Sequence, residues 1–461
     1  MAKRRVLKLT PILITLNILV LFLIVMFYST RLLKYYLKEH GRKSEETVLL
    51  VNEIKKHQSY LDETKGLVYN EEKKNYTYKG EVNDNYLYYS GFMFRILGID
   101  SEDNIKLVSE DNVTLLYPGF NNGYESSYVN KWLNSSEEKY SGVFENTLIN
   151  AGGLLNNTTY CMDSIDDLSK IVCEESSDKY KITLLSLYDF KSSGGKASFL
   201  NNGTTFNLGT LNSSNQNYFV NESGEISLNN KTSRAITIKP VITINSGAEL
   251  VGGNGKKNNP YIIEKHDVKV LADTYINNII KIDNSTYKVI EIEEDKVKLT
   301  STDALKEKDE KLSISFGGSN SAYSASNTVG SYLNKTFLNS LSVKDSVISS
   351  DYYTGVLSLD NLDYSKTYNS KVNTKVGLLN IGDLYINEVN NVFTILRGME
   401  ATNIINVINE NGNLFADSIT SKYNVRPTFY LDGKLNIIKG EGTMSSPYEL
   451  GVNNEKETKE E

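Results

Sequence analysis

The chain opens on an uncharged run from Leu9 to Tyr28, preceded by Lys3, Arg4, Arg5 and Lys8. About twenty residues at roughly 1.5 Å each span about 30 Å, the thickness of a bilayer's hydrocarbon core. The run predicts a transmembrane helix. Phe27 and Tyr28 are too bulky for a cleavage site, so an uncleaved signal anchor over residues 1–30 is expected. Arg31, Lys34, Lys38, Arg42 and Lys43 nearly balance the basic tail. Export of the bulk of the chain past a short inside tail is still the easier topology. The expected location is therefore the cell membrane, single-pass, with most of the chain extracellular. Over residues 31–76, Leu50, Ile54 and Leu61 share one helical side, which predicts a stalk with too few apolar heptads to dimerise as a coiled coil.

Beyond the stalk the period changes from helical to alternating. Phe92–Ile99 and Ile105–Ser109 flank an acidic turn, as do Thr286–Ile292 and Lys296–Ser301, and both read as hairpins. Val129, Trp132 and Leu133 then follow helical spacing, as do Val329, Tyr332 and Leu333. Long Asn/Ser/Gly-rich stretches come next, and each half closes with a hairpin and a strand through Pro240 or Pro427.

These patterns recur in fixed order. Phe94-Arg95-Ile96 pairs with Tyr287-Lys288-Val289, Trp132-Leu133-Asn134 with Tyr332-Leu333-Asn334, and the turn at Gly224 with that at Gly412. Lys239-Pro240 pairs with Arg426-Pro427; Gly253, Gly255 and Pro260 pair with Gly440, Gly442 and Pro447 at identical spacing. The pattern predicts a tandem duplication, residues 77–264 and 272–451, joined by a linker at 265–271 and followed by a disordered acidic tail at 452–461. The expected fold class is α+β: a transmembrane helix and helical stalk, then two mostly antiparallel-β domains with short helices.

Composition narrows the chemistry. The net charge of −7 gives no basic field for nucleic acid. Three histidines (His40, His57 and His266) fall outside both repeats and read as solvated, so neither repeat can build a Ser-His-Asp arrangement. Cys161 and Cys173 have neither metal-ligand spacing nor a nearby histidine; in an exported domain they are expected to form a local disulfide. The acidic stretches Asp100–Asp103 and Glu291–Asp295 lack the EF-hand pattern and read as solvated turns; Asp163–Asp167 is a better candidate for calcium. Gly253–Lys257 is a turn, since no helix follows to complete a phosphate loop. No metal, cofactor or catalytic residue is assigned. Tyr86, Tyr117, Tyr124 and Tyr218, with Asn83, Asn121 and Asn122, combine flat rings and amides in a way that suits a glycan or protein ligand.

The ordered series Phe94-Arg95-Ile96, Trp132-Leu133-Asn134, Leu184-Leu185-Ser186, Tyr218 to Gly224, Pro240-Val241 and Gly253 to Tyr261 resembles a family of uncharacterised repeats. These occur in exported surface proteins of low-GC Gram-positive bacteria. Lys239 departs from the usual Arg, Lys288 likewise, and Phe206 and Phe393 stand where relatives tend to carry Trp. More remotely, the closing strand and aromatic hairpins are similar to C-type-lectin-like and sulfatase-modifying-factor-like domains. The resemblance implies a non-enzymatic surface protein that binds or adheres to a ligand. A structural or assembly component of the cell envelope is the alternative, and an enzyme with an unrecognised carboxylate site the third. Oligomeric state is not written in the sequence.

Overall fold

A computed structural model of the chain describes residue 26 and residues 47–116, 124–125, 127–134, 144–158, 161, 164–173, 180–228, 235–358, 364–380, 382–383, 390–400, 402–410 and 413–451. The chain divides into two compact units, 1–48 and 49–461. The second holds every strand of the described residues.

Its first half is built on a nine-stranded sheet. Strand Phe92–Ile99 lies at its heart, paired with Ile105–Ser109, which in turn pairs with Pro240–Ile244. On its other side Phe92–Ile99 pairs with Tyr86–Tyr89 through its first residues and with Asn75–Lys79 through its last. A second sheet runs Ile226–Leu228, Asn217–Val220, Phe206–Leu211, Ala235–Ile238, Val113–Leu116.

The second half follows the same order. Ser285–Ile292 pairs with Ile279–Ile282 and with Lys296–Ser301, and the latter with Pro427–Asp432. Its second sheet runs Leu414–Ser418, Ile404–Ile408, Val392–Arg397, Lys422–Asn424, Ser313–Ser315. Even irregularities match: the register shifts between Ile96 and Gly98 in one half and between Val289 and Glu291 in the other. Alternation buries Phe94, Ile96 and Leu107 in the first half and Tyr287, Val289 and Leu299 in the second. Gly253 and Gly440 have positive φ, and a Cβ at either would overlap the carbonyl oxygen of Pro260 or Pro447. The repeated glycines are thus explained by one tight backbone crossing.

Three expectations are corrected. The fold is mostly β rather than α+β. Leu50–Lys55, Tyr128–Leu133 and Leu187–Ser192 have six residues each, and among the described residues the longest helical stretch is the run Thr328–Ser331, Tyr332–Phe337, Leu338–Ser340, whose middle segment is π-helical. Ser127, Ser186 and Asn327 cap the starts of helices by accepting backbone N–H groups, but the Asn- and Ser-rich chain favours turns over long helices.

The helical stalk is overturned over its described part, residues 47–76; residues 31–46 lie outside the described residues. After Leu50–Lys55, whose Leu50, Val51 and Ile54 are buried, the chain forms the hairpin Gly66–Asn70 and Asn75–Lys79, which joins the first sheet. Leu61, part of the expected helical stripe, is fully exposed. Period-two burial of Leu67 and Tyr78 outweighed the sparse helical spacing.

The single-pass membrane location is corrected as well. Among the described residues no helix is long and apolar enough to cross a membrane. Of the run Leu9–Tyr28 only Met26 is described. The acidic tail at 452–461, His40, Gly412, Tyr117, Asn121, Asn122 and Asp163 lie outside the described residues.

Candidate functional site

Most of the repeated signature residues belong to the fold. Arg95 is buried, donating from Nε to Asn85 at 2.7 Å and from a terminal nitrogen to the Val82 carbonyl at 2.8 Å, with its guanidinium 3.9 Å from the centre of the Tyr86 ring. Lys239 donates to the Glu110 carbonyl at 2.6 Å, and burial lowers its ammonium pKa to about 8. Its match Arg426 is also buried and donates to the Ser301 carbonyl. Lys288, by contrast, is only half-buried, as is Tyr332. Cys161 and Cys173 form a disulfide with their Cα atoms 4.9 Å apart. Of the tyrosines singled out from the sequence, the three that are described supply no surface platform. Tyr86, Tyr124 and Tyr218 are all buried, and the last two donate to the carbonyls of Ile182 and Ile165.

The histidines have partners. His57 lies with Nδ1 3.0 Å from Asp84 and Nε2 3.2 Å from the Tyr261 hydroxyl, tying the first helix to the first half. His266 stacks on Tyr275 with ring centres 3.9 Å apart.

A cavity of about 850 Å³ opens where the sheet of the second half faces residues of the first. Asn146–Ile149 of the first half, His266 and Ala272–Ile276 form one side. Strand residues Ile290–Glu293, Lys296 and Lys298 form another, with Tyr352, Tyr353, Tyr368, Tyr430 and Asp383 completing the wall. Sheet register explains the chemistry. Glu291, Lys298 and Tyr430 are direct cross-strand neighbours and so share one face. Lys298 is buried, 3.2 Å from Asp383 and 3.4 Å from Glu291; the Tyr430 hydroxyl donates to Glu291 at 2.9 Å.

Burial opposes the Lys298 charge, but Asp383, Tyr430 and Glu291 outweigh it and hold the ammonium well above its ordinary range. Burial pushes the Asp383 carboxyl up, an effect only partly offset by Lys298. Burial likewise raises the phenols of Tyr352, Tyr368 and Tyr430; Tyr352 donates to the Thr428 carbonyl and Tyr430 to Glu291. Five carboxylates line the space (Asp273, Glu291, Glu293, Asp351 and Asp383) against two ammonium groups, Lys296 and Lys298.

The first half carries the matching row as Gly98, Lys106 and Thr243. Lys106 pairs with Asp189 at 2.8 Å, as Lys298 does with Asp383. Here the resemblance ends, because strand Asn75–Lys79 pairs with Gly98 and Ile99 and occupies the edge that the second half leaves to the cavity. A Cβ at Gly98 would overlap the Tyr76 carbonyl oxygen, so this close approach requires glycine. At the matched position Glu291 points a carboxylate into the opening.

Glu291 was read from sequence as part of an acidic turn; it sits at a strand end, and the turn begins after it. The Lys–Asp pairs were missed. Their signal was available: a Lys in the second hairpin strand and an Asp soon after Leu184-Leu185 or Leu378-Leu379 recur in both repeats. Among the described residues no group of three or more His, Cys, Asp or Glu side chains could hold a metal ion.

Comparison with known proteins finds no matching family model, no similar curated protein and no similar solved structure.

Proposed function

We propose that the chain is a non-enzymatic binding protein and that its ligand is a glycan seated in the cavity of the second half. The observation that carries this reading is the concentration of five tyrosines (Tyr275, Tyr352, Tyr353, Tyr368 and Tyr430) beside hydrogen-bonding carboxylates and ammonium groups in a space of about 850 Å³. That volume suits a small ligand. Aromatic faces stack on the apolar faces of sugar rings, while Glu293, Lys296 and Asp351 meet hydroxyl groups.

Trp132 provides the readout. It is the sole tryptophan, fully buried, and its indole N–H donates at 3.3 Å to the carbonyl of Gly382 in the cavity wall. Titration with a panel of neutral hexoses, N-acetylhexosamines and their disaccharides is expected to give a saturable fluorescence change for one class. Tyr368→Ala should weaken that binding about tenfold, roughly 1.4 kcal/mol. No saturable change with any sugar up to about 10 mM would refute the reading.

One observation favours a second reading, a carboxylate-based hydrolase at the same cavity: Asp383 has its pKa raised by burial, as a proton donor requires, beside the carboxylate of Glu291. Turnover of chromogenic glycosides that disappears in Asp383→Asn would support it; binding without turnover would exclude it for those substrates.

A further inference from the structure

We propose that Lys298 and Asp383 become joined by an intramolecular amide bond, with Glu291 as the proton acceptor. Three groups of the required kinds meet at one point. The Lys298 ammonium lies 3.2 Å from Oδ1 of Asp383 and 3.4 Å from Oε2 of Glu291. The side chains of Lys298 and Asp383 are each only 9% exposed. The backbone N–H of Asn380 donates to the other Asp383 oxygen at 2.7 Å and fixes the carboxyl with one oxygen toward the amine. The rings of Tyr352 and Tyr430, centred 6.0 and 5.8 Å from the Lys298 nitrogen, flank it. Holding amine and carboxyl in contact makes the condensation intramolecular.

The step balances without any co-reactant. In the minority of molecules in which the Lys298 ammonium has passed one proton to Glu291, a transfer that the neighbouring charges disfavour and that therefore sets the rate, the freed lone pair forms a bond to Cγ of the protonated Asp383 carboxyl. The Cγ–OH bond breaks and the hydroxyl leaves as water with a second proton from the nitrogen. The proton on Glu291 passes to solvent. The product is one amide and one water, and Glu291 is left without its lysine partner, facing the cavity.

The first half supplies an internal control. Lys106 lies nearer its partner, 2.8 and 3.0 Å from the two oxygens of Asp189. Its side chain, however, is 32% exposed, and the Ser186 hydroxyl donates to Asp189 at 2.7 Å. Gly98 stands where Glu291 stands, so that place holds no carboxylate to take the proton. This pair stays ionic, and the chain loses one water rather than two.

Intact-mass measurement of the folded full-length chain, after reduction of the disulfide, is the test. The mass should fall one water, about 18 Da, below the sequence value. A tryptic digest should contain a branched peptide joining the segments that carry Lys298 and Asp383. Lys298→Met and Asp383→Ala should restore the full mass, and Glu291→Gln should slow the loss. A wild-type chain at full sequence mass overturns the proposal, as does a water loss that maps elsewhere, such as a succinimide. Loss of two waters, with the second at Lys106 and Asp189, overturns the role of Glu291. Should a variant fail to fold, the wild-type mass and peptide map decide alone.

Discussion

The two halves share strand order, a matched bulge and a Lys–Asp pair, yet one presents a sealed edge and the other a cavity. The difference traces to one position in the central strand. Gly98 lets the backbone of Tyr76 pass close, so the hairpin of residues 66–79 covers the first edge. Glu291 fills the same place with a side chain, and among the described residues no strand pairs with it on that side. One scaffold therefore hosts a closed structural module and an open candidate site. What separates them is a glycine and a hairpin, not a new fold.

The strongest way to break this comparison is to remove the shared Lys–Asp contact from each half. Asp383→Ala strands a buried ammonium and should cost about 3–5 kcal/mol in chemical denaturation. Next, Gly98→Glu places the second half's residue in the first. The new side chain must displace the Tyr76 backbone, at a cost of about 2–3 kcal/mol, and proteolysis should then cut within residues 66–79. Lys106→Ala, the exposed counterpart, should cost only about 1 kcal/mol, because solvent already screens that pair. A cost equal to that of Asp383→Ala would erase the distinction between the halves.

The smallest effect is a pH dependence confined to the first half. The folded pKa of Lys239, about 8, lies below its ordinary value of 10.5 because the group is buried. Above pH 8 the folded state gives up a proton that the unfolded chain keeps, so this contribution to stability rises between pH 8 and 10.5 and is lost as pH falls through 8. Between pH 7 and 9 the gain is about 1 kcal/mol, and it should be missing in Lys239→Met.

Much of the frame was legible because alternation is a local signal. Phe92–Ile99 and Ile105–Ser109 are strands over the residues their pattern predicted. Residues 66–79 were not, since Leu50, Ile54 and Leu61 offered a helical spacing that competed with the alternation of Leu67, Tyr69, Tyr76 and Tyr78. The cavity was hidden for a different reason. Lys298 and Asp383 are 85 residues apart, and only the sheet brings them together. Glu291 looked like its acidic neighbours until register placed it opposite Lys298. The tyrosines chosen for ligand binding were picked by composition, which cannot tell a buried ring such as Tyr124 from one that lines a cavity, such as Tyr368.

The central claim is that a single accessible site exists and belongs to the second half. Calorimetric titration of the full chain with the sugar that quenches or enhances Trp132 fluorescence measures it directly. The account predicts one site per chain, weakened by Tyr368→Ala and left intact by Lys106→Ala. Two sites per chain, or binding indifferent to Tyr368→Ala, would contradict it.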